Sequence, residues 1–220
     1  KRQIMNVLSL FDGMSCTQLA LLNLGVSVEN YYASEIDKYA IKVTQANFPS
    51  TIQLGDVCGI SRASIDADID LIVAGSPCQD LSFASSKGKG LIEGERSNLF
   101  FEFVRILEEF KPKYFLLENT RMKQEYENII TDTLGVSPVA VNSSLVSAQN
   151  RYRLYWFGVR EGNTYKKITV AQPKDRDIIL ADILEDNTKE IRNDKRYTRC
   201  MQIGETAEIK GFDVIKRVYS

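Results

Sequence analysis

The sequence predicts an α/β protein built on a Rossmann-like, doubly wound, mostly parallel sheet that ends in an antiparallel pair of strands. Three observations support this fold class. Apolar stretches rich in β-branched residues alternate with segments of helical periodicity, a glycine turn follows the first apolar stretch, and the last two apolar stretches lie close together. The first two features are typical of βαβ units, and the third predicts the antiparallel pair.

The first half of the chain repeats a strand and a helix. The predicted elements are, in order, a strand at 6–11, a helix at 17–24, a strand at 28–33, a helix at 38–47, a short strand at 52–54 and a strand at 71–74. The second helix is expected to end at Phe48-Pro49, because proline cannot continue a helix without losing a backbone hydrogen bond. The run Leu71-Ile72-Val73-Ala74 is apolar throughout, which indicates a buried strand.

The second half continues the alternation and then weakens. The predicted elements are a Gly/Ser/Lys-rich loop at 82–95, a helix at 98–110, a strand at 114–118, a helix at 123–133 and strands at 139–146 and 154–159. The helix at 98–110 places four apolar residues on one face, namely Leu99, Phe103, Ile106 and Phe110. Beyond Gly162 the sequence is polar, and only a short helix at 178–184 is expected.

The composition excludes several function classes. The 220 residues include no histidine, which removes Ser-His and Cys-His nucleophiles and every histidine-containing metal site. The four cysteines form no C-x-x-C pair, so we expect reduced thiols and no metal. No apolar run approaches the roughly 18 to 20 residues that span a bilayer, so we expect no membrane association and a cytoplasmic location. With a net charge of −1, basic residues must be concentrated on one face if the chain binds DNA.

The first candidate site residues lie where the first strand meets the first helix. The segment Phe11-Asp12-Gly13-Met14-Ser15 is a tight glycine turn that opens a helix, where backbone amides can hold a polar ligand. Taken alone the turn is weak evidence, because a glycine that merely closes a βα connection would look the same.

Two carboxylates follow the next two strands. Glu35, with Ile36 beside it, ends the second strand, where an acid can accept hydrogen bonds from both hydroxyls of a ribose. Asp56, followed by Val57, comes after the third strand and is placed to contact an adenine amino group. For Asp56 alone, a solvated loop carboxylate is the simpler interpretation.

A cysteine directly follows the fourth strand. The segment Gly75-Ser76-Pro77-Cys78 places a thiol at the carboxyl edge of the sheet, where α/β proteins bind ligands. A single cysteine is most often a core residue. Cys78 lies instead in a loop of glycine, serine and proline, which favours a reactive thiol that Pro77 helps to aim.

These segments together resemble a known enzyme family. Pro77-Cys78 after a hydrophobic strand is similar to the catalytic Pro-Cys motif of the cytosine-5 DNA methyltransferases, of a bacterial or phage type with similarity to the de novo branch. The other motifs of the family follow in order: Phe11-Asp12-Gly13, Glu35, Asp56, Glu118-Asn119-Thr120 and Gln149-Asn150-Arg151-Tyr152-Arg153. The sequence departs from the family pattern at 14–16, where a richer glycine turn is usual, and at Thr120, where valine is usual.

The resemblance implies a fold, a cofactor and a set of site residues. The fold is that of the S-adenosylmethionine-dependent methyltransferases, with S-adenosylhomocysteine as the product and no metal. The residues implied for cofactor binding are Phe11, Asp12, Gly13, Met14, Ser15, Glu35, Ile36, Asp56, Val57 and Pro77. The residues implied for catalysis are Cys78, Glu118, Asn119, Arg151 and Arg153.

The implied mechanism begins with Cys78. Its thiolate would add to C6 of a cytosine flipped out of double-stranded DNA, so that C5 can accept the methyl group. Glu118 would hold N3 of the base, Arg153 would bind O2, and Asn119 would help to position the loop that carries Cys78. The loop at 83–96 is an expected lid over the flipped base, with an ordinary surface loop as the alternative.

The predicted organisation is a catalytic domain at 1–162 followed at 163–220 by a linker and the start of a truncated target-recognition region. In the resembled family that region is larger and is followed by a C-terminal helix. The remainder would lie outside the sequence or on a second polypeptide. The expected setting is the cytoplasm of a bacterium, or a phage gene.

Other functions are compatible with parts of the sequence. A tRNA cytosine-5 methyltransferase shares this catalytic set, although Gln79-Asp80-Leu81-Ser82 after Pro-Cys favours DNA. A non-catalytic partner subunit of a split methyltransferase is opposed by the intact Cys78, Glu118 and Arg153. A nicotinamide-dependent dehydrogenase would fit the first turn, but no G-x-G-x-x-G surrounds Gly13.

Overall fold

A mostly parallel β-sheet dominates the structure, a computed structural model that describes residues 4–77, 99–183 and 218–219. The described strands are β1 (Ile4–Leu10), β2 (Ser27–Ser34), β3 (Ile52–Gln53), β4 (Leu71–Gly75), β5 (Tyr114–Thr120), β6 (Val139–Asn142), β7 (Gln149–Asn150), β8 (Tyr152–Glu161), β9 (Thr164–Lys167) and β10 (Val218–Tyr219). The described α-helices are α1 (Cys16–Asn23), α2 (Lys38–Asn47), α3 (Leu99–Phe110) and α4 (Gln124–Leu134).

The order of the strands confirms the predicted doubly wound fold. The main sheet runs β3-β2-β1-β4-β5-β8-β6, and β9 pairs with β8. The neighbours from β3 to β5 are parallel, whereas β8 is antiparallel to both β5 and β9. The chain proceeds outward from β1 to β3 and then returns to β4 on the other side of β1. The switch point between β1 and β4 is where such sheets bind ligands, at the carboxyl ends of their strands.

Several elements differ from the sequence-based expectation. The strand expected at 139–146 ends at Asn142, because the Asn142 side chain accepts a hydrogen bond from the Ser144 amide and starts a 3-10 turn at Ser143–Leu145. The polar segment after Gly162 was expected to be irregular, but it contains β9, which forms a hairpin with β8. The short helix expected at 178–184 is a 3-10 turn at Leu180–Ile183.

The larger part of the core covers one face of the sheet. Buried side chains of α3 and α4 pack on this face against alternate residues of β1, β4, β5 and β8, including Phe103, Ile106, Leu117 and Trp156. Each fully buried aromatic or aliphatic side chain stabilises the folded state by about 1.5 to 3 kcal/mol relative to leaving it exposed to water. A smaller cluster of Val7, Tyr31 and Ala33 occupies the other face, with Leu21 of α1 against it.

The pairing of β5 with β8 includes one very close approach. Gly158 of β8 lies opposite Phe115 of β5. A Cβ atom at Gly158 would lie 2.1 Å from Cε1 of the Phe115 ring, so this position has no room for a side chain. The glycine therefore leaves the space that the phenylalanine ring occupies beside the neighbouring strand.

The chain divides into two compact units, one made of residues 1–140 and 153–170 and the other of residues 141–152 and 171–220. The first unit contains nearly all of the main sheet. In the described part of the second unit, β7 pairs with β10, and the Arg176 amide donates to the Leu145 carbonyl at 2.9 Å. The domain boundary predicted at residue 162 stays a prediction. Among the described residues, no helix has both the length and the apolar character needed to cross a membrane.

Candidate active site

The turn between β1 and α1 has an unusual backbone. Phe11, Gly13 and Ser15 all have positive φ angles, at 57°, 60° and 61°. Phe11 therefore ends the strand that was expected to include it. Left-handed backbone is readily adopted by glycine, but it costs about 1 to 3 kcal/mol at other residues unless the surroundings hold it. A Cβ atom at Gly13 would have no neighbour within 4 Å, so the space beside this one residue is open.

The carboxylate of Asp12 anchors this turn. Tyr31 of β2 donates its hydroxyl to Oδ1 of Asp12 at 2.7 Å, and the Ser15 hydroxyl donates to Oδ2. The Asp12 amide donates to the Ser34 carbonyl at 3.1 Å. Burial, followed by the negative charge of Asp12, raises the pKa of Tyr31 far above its ordinary value. The tyrosine hydroxyl therefore stays protonated and remains a donor.

Glu35 lies directly beside the turn, as predicted for the end of β2. Its Oε2 accepts from the Gly13 amide at 2.8 Å, and its Oε1 accepts from the amides of Ile36 and Asp37, both at 2.8 Å. A carboxylate offers about four acceptor positions, one more than these three amides use. The structure therefore brings Glu35 and Gly13 together and orients the carboxylate through the backbone.

Asp56 and Val57 lie after β3 and form the next part of the same edge. Asp56 caps a 3-10 turn at Val57–Gly59 by accepting from the Cys58 amide at 3.0 Å. Ser34 connects this turn to the end of β2, because its hydroxyl donates to the Gly55 carbonyl at 2.8 Å. The side chain of Val57 is buried.

A guanidinium group from α3 supports the 3-10 turn from behind. Arg105 donates to the Ile60 carbonyl at 2.8 Å and to the Val57 carbonyl at 3.2 Å. Ion pairs with Glu102 and Glu109 hold the guanidinium in place. Because both acceptors are backbone carbonyls, Arg105 restrains the path of the turn and not merely a side chain.

The end of β4 leads toward the predicted nucleophile. Ser76 is buried and Pro77 is partly buried, whereas Cys78 and the expected lid at 83–96 lie outside the described residues. Asn119 of β5 is 1% exposed and donates to the Ser76 hydroxyl at 2.9 Å. Its side-chain oxygen accepts from the Thr120 amide at 2.7 Å. Asn119 thus holds the backbone two residues before Cys78.

Glu118 and Arg153 form an ion pair at this edge of the sheet. Nε of Arg153 lies 3.0 Å from Oε1 of Glu118, and the two side chains are 18% and 28% exposed. The register of β5 and β8 explains the pair: Arg153 lies opposite Thr120, one diagonal step from Glu118 on the same face. A carboxylate and a guanidinium, each partly accessible, are thus placed side by side.

Arg151 belongs to the second unit, and its position relative to Glu118 is not described. Within that unit its side chain is exposed, and its amide donates to the Asn142 side chain at 3.0 Å. Its carbonyl accepts from the Ser143 amide at 3.0 Å. Among the predicted catalytic residues, Arg153 is the one that the structure places in contact with Glu118.

Two of the predicted cofactor residues present apolar side chains to solvent at this edge. The side chain of Met14 is 56% exposed and that of Ile36 is 75% exposed.

Sequence reasoning missed four residues that hold the site together, namely Tyr31, Ser34, Thr44 and Arg105. Thr44 of α2 donates its hydroxyl to the Gly13 carbonyl at 3.3 Å. No motif in the sequence indicates these contacts, because each of the four residues bonds to a turn that is distant from it in the sequence.

A separate cavity of about 630 Å³ lies away from these residues. It is lined by the last turns of α3 and α4 and by the connection between β8 and β9, including Leu107, Lys111, Leu134, Arg160 and Tyr165. The end of β8, which lines the cavity, pairs with the start of β5. The cavity therefore lies at the amino ends of the parallel strands, at the edge opposite to the candidate site. None of the predicted site residues lines it. Within residues 4–77 and 99–183, no cluster of three or more metal-ligating side chains occurs.

The fold and the edge residues define an α/β protein of the doubly wound class, with polar side chains gathered at the carboxyl ends of its strands. Residues 5–217 match the family model described as C-5 cytosine-specific DNA methylase. The chain therefore belongs to the C-5 cytosine-specific DNA methylase family.

Curated relatives come from phages and bacteria. The chain is 36% identical over 170 residues to the orphan methyltransferase M.SPRI of Bacillus phage SPR, which covers 71% of this chain and 38% of the relative. It is 30% identical over 201 residues to the type II methyltransferase M.HpaII of Haemophilus parainfluenzae, covering 85% of this chain and 55% of the relative. The chain thus spans between about a third and two thirds of the length of the curated relatives it matches.

Solved structures agree on the fold. A prophage-encoded protein of E. coli, described as a DNA modification methyltransferase, matches with a TM-score of 0.58 and 28% identity over 71% of this chain and 47% of that chain. A mutant of Spodoptera frugiperda DNMT2 matches with a TM-score of 0.68 and 23% identity, over 98% of this chain and 69% of that chain. The second likeness concerns the fold alone.

Proposed function

We propose that this chain is the catalytic part of a DNA (cytosine-5)-methyltransferase, which transfers a methyl group from S-adenosylmethionine to C5 of a flipped cytosine. The observation that carries the proposal is the ion pair between Glu118 and Arg153, beside the strand that leads into Pro77-Cys78. A protonated carboxyl group can donate to N3 of cytosine while a guanidinium donates to O2, so this pair suits the polar edge of that base.

The residues of the cofactor half fit S-adenosylmethionine, which supplies an electrophilic methyl group when bound. The space beside Gly13 is open, and the turn leads into α1, whose first amides have no partner within the helix. Glu35 retains an acceptor position for a ribose hydroxyl. Asp56 and Val57 form the turn assigned to the adenine. Pro77, Met14 and Ile36 are assigned to this half by the family resemblance.

The proposed reaction begins and ends at Cys78. Its thiolate forms a bond to C6, and the electron pair of the C5–C6 double bond becomes available at C5 while Glu118 supplies a proton to N3. C5 then forms a bond to the methyl group as the sulfur–methyl bond breaks. The C5 proton leaves to water, the bond between C6 and the cysteine sulfur breaks, and the N3 proton returns to Glu118 as 5-methylcytosine is released. The absence of histidine from the sequence makes a carboxylate and water the expected route for that proton.

The roles proposed for Asn119 and Arg153 follow from their contacts. Asn119 acts on the backbone at Ser76, so it orients the loop of the nucleophile without touching the base. Arg153 is held by Glu118 in the orientation needed for O2. The assignment of Arg151 rests on the family motif. A lid at 83–96 is also part of the proposal.

Double-stranded DNA is the proposed substrate, in keeping with the family model that the chain matches, which is described as C-5 cytosine-specific DNA methylase. The proposed division into a catalytic domain at 1–162 and a recognition region beginning within 163–220 is compatible with relatives that are longer than this chain. The proposal does not require a second polypeptide.

The decisive experiment is covalent trapping. Fluorine at C5 cannot leave as a proton does, so duplex DNA containing 5-fluorocytosine should stall the reaction after methyl transfer. Mass spectrometry should detect a protein–DNA adduct that requires S-adenosylmethionine and is lost in Cys78→Ser. Cys58→Ser is the matched control, because Cys58 is another thiol of the chain, exposed to solvent, and serine keeps both the backbone amide that donates to Asp56 and a small polar side chain. It should leave the adduct intact.

The same assay separates the competing functions. An adduct with 5-fluorocytidine in tRNA, and none with duplex DNA, would favour a tRNA methyltransferase. If neither substrate forms an adduct although S-adenosylmethionine binds, the chain either acts as a partner subunit or needs further polypeptide for catalysis. An adduct that persists in Cys78→Ser would contradict the proposed nucleophile.

A further inference from the structure

One buried side chain outside the family motifs holds the cofactor turn in place. We infer that Tyr31 is a positioning residue of the proposed methyl-transfer reaction: with Ser15 it binds both oxygens of Asp12 and so keeps the glycine turn in the shape that receives S-adenosylmethionine. The inference rests on the proposed function, because it concerns the same cofactor site.

The geometry of Tyr31 makes it a specific anchor. Its side chain is 4% exposed, it projects from β2 next to the start of α1, and its hydroxyl donates to Oδ1 of Asp12 at 2.7 Å. A buried tyrosine hydroxyl generally requires a partner, and here the partner is a charged carboxylate. Burial and the charge of Asp12 raise the pKa of Tyr31, so the donor is retained throughout the pH range of ordinary assays.

These contacts change the role expected for Asp12. The family resemblance implies that Asp12 belongs to the cofactor site, which suggests contact through its carboxylate. Both of its oxygens instead accept hydroxyl groups of the chain itself, from Tyr31 and Ser15. We therefore assign to Asp12 the role of fixing the shape of the turn through these two hydrogen bonds.

The turn needs such an anchor because two of its non-glycine residues have left-handed backbone angles. Phe11 and Ser15 both lie in the left-handed region on either side of Asp12, which an isolated chain would leave readily. Glu35 and Thr44 restrain the Gly13 peptide from one direction. Tyr31 restrains the preceding residue from the buried side, so loss of its hydroxyl should loosen the turn without opening the core.

The test is the affinity of the full chain for S-adenosylmethionine, measured by isothermal titration calorimetry. Tyr31→Phe removes one charge-assisted hydrogen bond and should raise Kd about tenfold, with kcat at saturating cofactor within about twofold of the wild type. The matched control is Tyr32→Phe. Tyr32 is also buried in β2, but it belongs to the core cluster on the opposite face of the sheet. Its substitution should change Kd by less than about twofold.

A second pair of variants decides the matter if Tyr31→Phe folds poorly. Ser15→Ala removes the other hydroxyl from Asp12 and should weaken cofactor binding in the same direction. Cys16→Ala alters the adjacent, exposed residue and should not.

Unchanged affinity in the folded Tyr31→Phe variant would overturn the inference, as would equal weakening in Tyr31→Phe and Tyr32→Phe. Where only the second pair can be measured, unchanged affinity in Ser15→Ala overturns it. If the wild-type chain itself fails to bind S-adenosylmethionine, the proposed function loses its cofactor and this inference falls with it. Binding by the wild type with no effect of Tyr31→Phe removes the inference alone.

Discussion

The two halves of the carboxyl edge are constructed differently. At the ends of β1, β2 and β3, the carboxylates of Asp12, Glu35 and Asp56 all accept hydrogen bonds from the chain itself, mostly from backbone amides. At the ends of β4 and β5, the prominent contact is between two side chains, Glu118 and Arg153. The first half therefore presents a shaped backbone, and the second presents side-chain chemistry. Substitutions in the first half should change affinity, whereas those in the second should change turnover.

The largest expected effect lies in the second half. Glu118→Gln keeps the size of the side chain but cannot carry a proton to N3 of the base, so kcat should fall by at least about a hundredfold. The affinity for S-adenosylmethionine should stay within about twofold. Methyl transfer from labelled cofactor to duplex DNA measures the first quantity and calorimetry the second. Glu125→Gln, at an exposed position of α4, is the control. Turnover close to that of the wild type would remove Glu118 from the mechanism and erase the contrast between the halves.

A smaller effect is expected for Asn119, the buried residue that supports the second half, and it concerns the free energy of unfolding. Asn119→Ala leaves the Thr120 amide and the buried Ser76 hydroxyl without their partner, which should lower the free energy of unfolding by about 2 to 3 kcal/mol. Urea denaturation measures this change. Asn128→Ala removes an exposed asparagine that accepts a hydrogen bond from Gln124 of the same helix, and it should lower the free energy of unfolding by less than about 0.5 kcal/mol. Similar losses in the two variants would mean that Asn119 does not support the loop before Cys78.

The smallest expected effect concerns Arg105, which supports the turn after Asp56 in the first half, and it is an effect on cofactor affinity. Arg105→Ala removes two hydrogen bonds to the backbone of the turn that follows Asp56, and it should weaken cofactor binding by about twofold to tenfold at unchanged kcat. Arg160→Ala, at an exposed arginine on β8, is the control. A lower kcat with normal affinity would show that the turn belongs to the chemistry and not to the cofactor half.

The sequence predicts the regular elements best where local signals coincide. The helix at 38–47 has the expected bounds, because Asp37 caps its start and Phe48-Pro49 ends it. The strand expected at 139–146 is too long, since periodicity does not register the turn formed by Asn142. β9 was missed because its sequence, Thr164–Lys167, is polar and depends on pairing with β8.

The candidate site divides in the same way. Motifs and their order along the chain are enough to propose Glu35, Glu118 and Arg153. That Glu118 and Arg153 are in contact depends on the register of an antiparallel strand, which no local pattern specifies. Tyr31 has no sequence signal at all, because a tyrosine in a buried strand is indistinguishable from an ordinary core residue.

The ion pair also depends on a position where the chain has no side chain. Gly158 lies on the opposite face of β8 from Arg153, beneath the ring of Phe115. Even a methyl group at this position would force β8 to move along β5 or the ring to leave the core. A slip of one residue would turn Arg153 to the face away from Glu118. Glycine at position 158 therefore helps to keep the strand register in which Arg153 points toward Glu118.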